Sequence, residues 1–335
     1  MPPRLTARRT LAFVSVVVVL VIAVVLSLMV GRQALSPVEV VRALIEGGTG
    51  NTVDIVRGLR LERTLVALAV GAALGAAGAL MQALTRNPLA DPGLLGVNAG
   101  AAAAVVTGFT FFGITSALPQ MWLGLVGAAV ASVVVYLVGS GGRASAGPAR
   151  LALAGAALTA VLFSYINALA MSDQATYNEV RFWVVGSVVN RGLDTLVIAL
   201  PFLVLGVVLA LIVGPGLNAL ALGEDSSRSL GLGVGRIRVL TAVSITLLCG
   251  AATAVAGPIG FLGLTVPHVA RAVVGADQRR IIPFGMLLSA AFLVLADTLG
   301  RVVSGGAEIE AGLMTAILGG PVFIALVRRR RMVPA

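Results

Sequence analysis

Residues 214–238 read GPGLNALALGEDSSRSLGLGVGRIR, a polar island between two long apolar runs. The chain around it has 335 residues, of which 58% are hydrophobic and 11% charged, and its mean hydropathy is +1.03. Soluble domains do not have that composition, so the island projects from a membrane. Glu224, Asp225, Ser226 and Ser227 follow Gly223 as the acidic, capped start of a short helix. Ser229, Leu230, Gly231 and Gly233 end it, and the pattern reads as a short helix, a turn and a second short helix lying along the surface. Arg236 and Arg238 mark where the next span begins. An element of that size gains order from something that docks on it. The alternative is a solvated loop between two spans.

Outward from the island, the chain resolves into apolar segments. Leu11 to Val30 is an uncharged run of 20 residues behind Arg4, Arg8 and Arg9, long enough to span and read as an uncleaved first helix with its N-terminus in the cytoplasm. Further spans are expected at about Thr64 to Leu84, up to Phe112, Leu118 to Val138, Leu151 to Met171 and Thr195 to Val213. Beyond the island they fall at about Val239 to Ala256, Gly260 to Val274, Ile281 to Leu299 and Ala311 to Val327. Pro267 breaks the segment 260–274, which is either a kinked span or a re-entrant piece shielded by protein. Ser36-Pro37 opens a short surface helix, and residues 172–194 read as a polar connection in which Trp183 suits an interfacial position. The expected fold is therefore all-α and polytopic, one transmembrane domain of about ten helices over residues 1–335, with a cytoplasmic loop at 217–236.

All 24 basic residues are arginine. Ten spans place 16 of them on the side that holds both termini and the island and 8 on the other, which assigns the termini and the island to the cytoplasm. The net charge of +10 is thereby a matter of orientation, and nucleic acid is not implied as a partner. The lone Cys249 excludes an intrachain disulfide and a cysteine metal cluster. Gly75-Ala-Ala-Gly78 and Gly250-Ala-Ala-Thr253 each lead to a proline break and run in opposite directions, as inverted repeats do.

The chain offers little chemistry of its own. Without lysine it has no P-loop, so any ATP that drives it is hydrolysed elsewhere. His268, the only histidine, reads as a packing residue. Asp297 is the one acid well inside a span, a functional residue by default unless Arg301, one turn later, pairs with it. Thr159, Phe163 and Asn167 form a stripe at helical spacing that could line a path, although threonine hydroxyls often bond their own backbone. No catalytic or metal-ligating set emerges. A single-chain secondary transporter would call for more buried ionisable groups, and a non-transporting scaffold leaves the Asn-Pro-Leu-Ala loop at 87–90 unexplained.

At this point the residues carry a resemblance. LERTLVALAVGAALGAAGALMQALTRNPLADPGLLG at 61–96, ALGEDSSRSLGL in the island, GPIGFLGLTVPHVAR at 257–271, LADTLGR at 295–301 and GLMTAILGGPVFIALV at 312–327 resemble FecCD-type permeases. These are the membrane subunits of ATP-binding-cassette importers for iron-siderophores, haem and cobalamin. The resemblance implies a type II importer permease in a bacterial cell membrane that pairs with a second, identical or homologous permease. It also implies two cytoplasmic ATPase subunits that hold ATP and magnesium, and an extracytoplasmic substrate-binding protein. ATPase coupling falls on Leu222, Gly223, Glu224, Asp225, Ser226, Arg228, Leu230 and Gly231. The gate falls on Asn87, Leu89, Pro148 and Ala149, with Thr159 and Asn167 along the pathway, and binding-protein docking on Arg60, Arg63 and Arg301. Glu62 and Glu310 stand where the family pattern has proline, and residues 148 and 149 lack the hydroxyls some members carry.

Overall fold

The structure, a computed structural model, describes residues 3–46, 50–140, 148–172, 174–189, 191–229, 231–303 and 308–328. Among these residues the chain is helical and has no strand. In order it forms α1 (Pro3–Met29), α2 (Pro37–Ile45) and α3 (Asn51–Val53), a π-helical stretch at Asp54–Leu61, and α4 (Glu62–Thr85). After a single turn of 3-10 helix at Pro92–Leu95 come α5 (Val97–Phe112), α6 (Ala117–Ser140), α7 (Pro148–Ser172) and α8 (Gln174–Val185). The chain continues through α9 (Leu193–Ala221), α10 (Glu224–Ser229), α11 (Val234–Ala256), α12 (Leu262–Val274), α13 (Gln278–Val303) and α14 (Ala311–Arg328). Seven helical segments are long and apolar enough to cross a membrane, and the shorter apolar helices α5, α12 and α14 bring the set to the expected ten.

Two of the three short helices are short because part of their crossing is not helical. At 1.5 Å per residue α5 is about 24 Å long and α12 about 20 Å, against a hydrocarbon core of about 30 Å. Before α5 the chain folds back into the bundle, so that Gly96 sits against Val135 of α6 and Leu158 of α7. Before α12, residues 257–261 run from the end of α11 into the interior, and Phe261 adopts a left-handed conformation as its N-cap (φ 68°). The segment 257–274 is thus a broken crossing, non-helical in its first part and helical in its second.

α1 and α13 run side by side in the same direction. The Phe13 and Phe284 rings meet edge to face 5.3 Å apart near one end, and Arg301 donates to the Ser27 carbonyl at the other. α4 lies at the centre with 18 of its 24 residues buried, and it approaches its neighbours through glycine. A Cβ at Gly71 would stand 2.7 Å from the Ala290 Cα and one at Gly75 2.5 Å from the Gly285 carbonyl oxygen, while one at Gly78 would overlap the Gly263 backbone. Such contacts hold helices together in lipid, where no hydrophobic drive acts between them. α4 and α11, which carry the two similar Gly-Ala-Ala stretches, pack together and run in opposite directions.

Three expectations are corrected. The polar connection at 172–194 contains a helix, α8, because Val180 and Trp183 are one turn apart and pack on Ile166 and Ala170 of α7. Trp183 is consequently buried, with 7% of its surface exposed, and does not sit at an interface. The island is also smaller than expected: α9 continues through Pro215 to Ala221 and α11 begins at Val234, so one short helix lies between them and not two. The helix at Ser36-Pro37 is α2, closed by a capping box in which the Ser36 hydroxyl accepts from the Glu39 N–H and the Glu39 carboxylate accepts from the Ser36 N–H at 2.7 Å. Those bonds hold the Glu39 carboxyl below the usual range.

Candidate coupling surface, pathway loop and arginine cluster

The island is ordered by groups beneath it. Gly223 turns the chain out of α9 in a conformation that needs glycine (φ +113°), and Gly231 closes the turn after α10 (φ +75°). Between them Ser227 is fully buried, its hydroxyl within hydrogen-bond distance of the carbonyls of Ala219 (2.9 Å) and Gly223 (2.7 Å), and its own carbonyl accepts from the Leu232 N–H at 3.1 Å. Leu222, Asp225, Ser226 and Arg228 are exposed on the resulting knuckle. Glu224 opens α10, and Leu230 lies outside the described residues.

The end of α9 is tied to two other segments. Asn218 donates to the Asp277 carboxylate (2.6 Å) and accepts from the Gln278 N–H (2.8 Å), which joins α9 to the α12–α13 turn. Arg86, which closes α4 in a left-handed conformation, donates to the Leu220 carbonyl. The knuckle, the 86–96 segment and the 275–280 turn therefore share one end of the bundle, as the arginine count grouped them. Asn218, Asp277 and Arg86 were not singled out in the sequence, and Ser227 was read only as part of the capped start of the short helix, since each acts through a partner distant in the chain or through a backbone carbonyl.

Ser227→Ala removes the side-chain bond that ties α10 to α9, while the Ala219 and Gly223 carbonyls keep their backbone donors, a net loss of about 0.5 to 1.5 kcal/mol. The variant is expected to insert normally while its amides at 222–232 exchange hydrogen about two- to tenfold faster; unchanged exchange would show that the hydroxyl does not order the knuckle.

In the 86–96 segment the Asn87 side chain accepts from the Leu89 N–H at 3.0 Å, forming an Asx turn that leaves Leu89 exposed and Asn87 half-buried. The Asp91 carboxylate accepts from the Gly93 N–H at 2.8 Å. Gln82, fully buried on α4, donates to the Leu264 carbonyl at 3.0 Å and accepts from the buried Arg271 guanidinium at 3.4 Å. This binds α4 to the broken crossing. Pro148 and Ala149 open α7, their side chains being outside the described part of the structure. On α7 Thr159 is half-buried and its hydroxyl is shielded with no partner, so it does not bond its own backbone as Ser164 does. Asn167 is exposed two turns further on. Among the described residues no three His, Cys, Asp or Glu side chains come together as a metal site.

At the opposite end lie the three arginines expected to face a partner, and the structure places all of them inside. Arg60, Arg63 and Arg301 are 6%, 8% and 7% exposed. Asp297 accepts from Arg63 at 2.7 and 2.9 Å and pairs with Arg301 at 3.1 Å, and Glu308 pairs with Arg63 at 2.6 Å. Arg301 also donates to the Ser27 hydroxyl (2.6 Å) and carbonyl (3.0 Å), and Arg60 to the carbonyls of Leu28 (2.8 Å), Met29 (2.9 Å) and Gln33. The C-terminal carbonyls of α1 have no partners within their own helix, and the guanidiniums supply them where cations are also favoured by the helix dipole. These arginines fasten α1 and α13 to α4. Asp297 does pair with Arg301, and it holds Arg63 as well.

The sequence model of the FecCD transport family matches residues 19–329. The ferric enterobactin transport system permease protein FepD of Escherichia coli (strain K12) is 46% identical over 96% of this chain and 96% of its own length. The Fe(3+)-citrate import system permease protein YfmD of Bacillus subtilis (strain 168) is 36% identical over 98% and 97% of the two chains. Among solved structures, the inward-facing conformation of an ABC transporter assigned to the metal-chelate type aligns with a TM-score of 0.82 at 28% identity, covering 96% of this chain and 99% of that one.

Proposed function

We propose, from the premise that this chain belongs to the FecCD transport family, that it is the membrane-spanning permease subunit of an ATP-driven importer of ferric siderophores. What carries the reading is the match over nearly the full length of both chains to permeases named for ferric enterobactin and ferric citrate. The chain supplies the path; a second permease, two ATPase subunits and a substrate-binding protein supply the rest. The arginine asymmetry favours a cytoplasmic α10 and cytoplasmic termini.

The geometry offers a route for the mechanical step. An ATPase that grips Leu222, Asp225 and Ser226 moves α10 with the end of α9. Asn218 passes that shift to α13 through Asp277, and Arg86 passes it to the segment that carries Asn87 and Leu89. A displacement at the knuckle thus reaches the gate loop through one hydrogen-bonded tie and α13 through another, and not through flexible chain. Thr159 and Asn167 on α7 would face the pathway, a reading supported by the shielded, unpartnered hydroxyl of the first and the exposure of the second.

The test is uptake of radiolabelled ferric enterobactin and ferric citrate by cells that carry this chain with its own partner subunits as their only importer. Uptake of at least one, abolished by an ATPase-inactive partner, is expected; uptake driven by an ion gradient without ATP would replace this reading with a secondary transporter. Leu222→Asp is expected to lower uptake tenfold or more while the amount of inserted chain stays unchanged.

A further inference from the structure

Pro267 stands inside α12, where it has no N–H to offer the Gly263 carbonyl one turn earlier. That carbonyl is met from outside the helix. Gln82 of α4, fully buried, directs its side-chain NH2 group at the Leu264 carbonyl (3.0 Å) and the Gly263 carbonyl (3.4 Å). Within a membrane, side chains of neighbouring helices satisfy the backbone groups that a proline frees. The other end of the same amide does something further: its oxygen accepts from both terminal nitrogens of Arg271, each at 3.4 Å. One side chain therefore holds α12 on both sides of its proline.

The two halves are anchored differently. Ahead of the proline, Gly263 lies against α4 at Gly78 and Leu262 is fully buried, so this half is fixed to α4. Behind it, α12 runs through Gly275 into the turn that Asn218 ties to the end of α9. The grip on this second half is loose. Charge-assisted bonds are ordinarily about 2.7 to 2.9 Å long, and here two share one neutral oxygen at 3.4 Å. Among the described residues no carboxylate pairs with Arg271, although it is only 2% exposed. The Thr265 hydroxyl, shielded and without a partner, is a second bond left open beside the proline. We propose that Pro267 is a hinge and Gln82 its latch. When α9 moves the α12–α13 turn, the second half of α12 bends away from the first and Arg271 leaves the Gln82 oxygen, while the Gln82 donors stay on the first half. The hinge takes its part in the cycle from the transport reading above, whereas the latch is a property of the folded chain.

The test uses the complete complex, purified into nanodiscs. Gln82→Leu keeps the bulk of the side chain and removes both contacts, so the thermal midpoint should fall by about 5 °C and the amides at 262–274 should exchange hydrogen about fivefold faster or more. Pro267→Ala returns an N–H to the Gly263 carbonyl, so in the Gln82→Leu background it should raise the midpoint by more than it does in the wild type. Alone, Pro267→Ala should leave the complex at least as stable, slow exchange at 262–274 and lower uptake severalfold, a combination that a merely structural role would not give. Should Gln82→Leu fail to fold, recovery of folded protein on adding Pro267→Ala reads the same coupling, and no recovery counts against it. Additive effects of the two substitutions would overturn the latch. Pro267→Ala with wild-type exchange and uptake would overturn the hinge. Exchange and melting need no substrate, so these results stay distinct from a failure of the transport reading, which the wild type alone would show.

Discussion

Replacing Asp297 with Asn is expected to lower the thermal midpoint of the purified complex by roughly 10 °C, from a loss of about 3 to 5 kcal/mol. The carboxylate is 1% exposed and is shared by Arg63 and Arg301, so its neutralisation leaves two buried guanidiniums with Glu308 as the nearest anion. Intrinsic fluorescence would follow the transition. The double variant Asp297→Asn, Arg63→Gln should lose less than the sum of the two single changes, because each removes what the other was paired with. Arg301→Glu, which sets a carboxylate beside Asp297 and strips the Ser27 bonds, should lower stability as well. A melt within about 2 °C of wild type for Asp297→Asn would mean that the pair contributes little and that these arginines are held for another purpose.

Gly78→Ala is the second change with a large expected effect. Its methyl group would overlap the Cα and carbonyl oxygen of Gly263, and backbone on both sides cannot yield by a change of rotamer. Overpacking ordinarily costs about 1 to 3 kcal/mol, and a backbone clash at the centre of the bundle belongs at or above the top of that range. Folded protein recovered from the membrane should fall severalfold. Gly235→Ala is the control: a Cβ there meets nothing within 4 Å, and in the first turn of α11 alanine should be neutral or stabilising. Equal recovery of the two variants would show that the α4–α12 contact tolerates separation.

The ten crossings were legible because runs of uncharged residues between arginine-bearing loops are a signal carried by each segment alone. The small-residue face of α4 was legible for the same reason, as Gly71, Gly75 and Gly78 repeat at helical spacing; which backbones they meet was not, since Gly263 and Gly285 lie far along the chain, beyond α11. α8 was hidden because its polar residues, Gln174, Asn178 and Arg181, dominate the composition while its two core anchors are few. At the knuckle the polar island, its glycine turns and its capped start could be read, but the number of helices could not. The sixth span was read to about Val213, yet α9 continues through Pro215 to Ala221, its end held in place by Asn218 and Asp277 across the turn. What the outer arginines touch within the chain was hidden, because their charge was read without their partners. Arg63 meets Asp297 across 234 positions and Arg301 meets Ser27 across 274, separations at which nothing local in the sequence reports a contact.

Those separations bear on how the chain is made. α1 precedes α4 and ends in carbonyls with no partners within their own helix; Arg60 takes up those of Leu28 and Met29, while Arg63 is set at the rim of the membrane without its counterion. Asp297 completes Arg63 and Arg301 completes the Ser27 carbonyl, and Asp297 is made 234 residues after Arg63. Until then α1 and α4 are joined through Arg60 and the Ser27–Thr64 hydroxyl contact, without the clasp from α13. A chain cut short before α13 would carry the Arg63 guanidinium without Asp297 or Glu308, a form that differs from the finished subunit by one uncompensated charge.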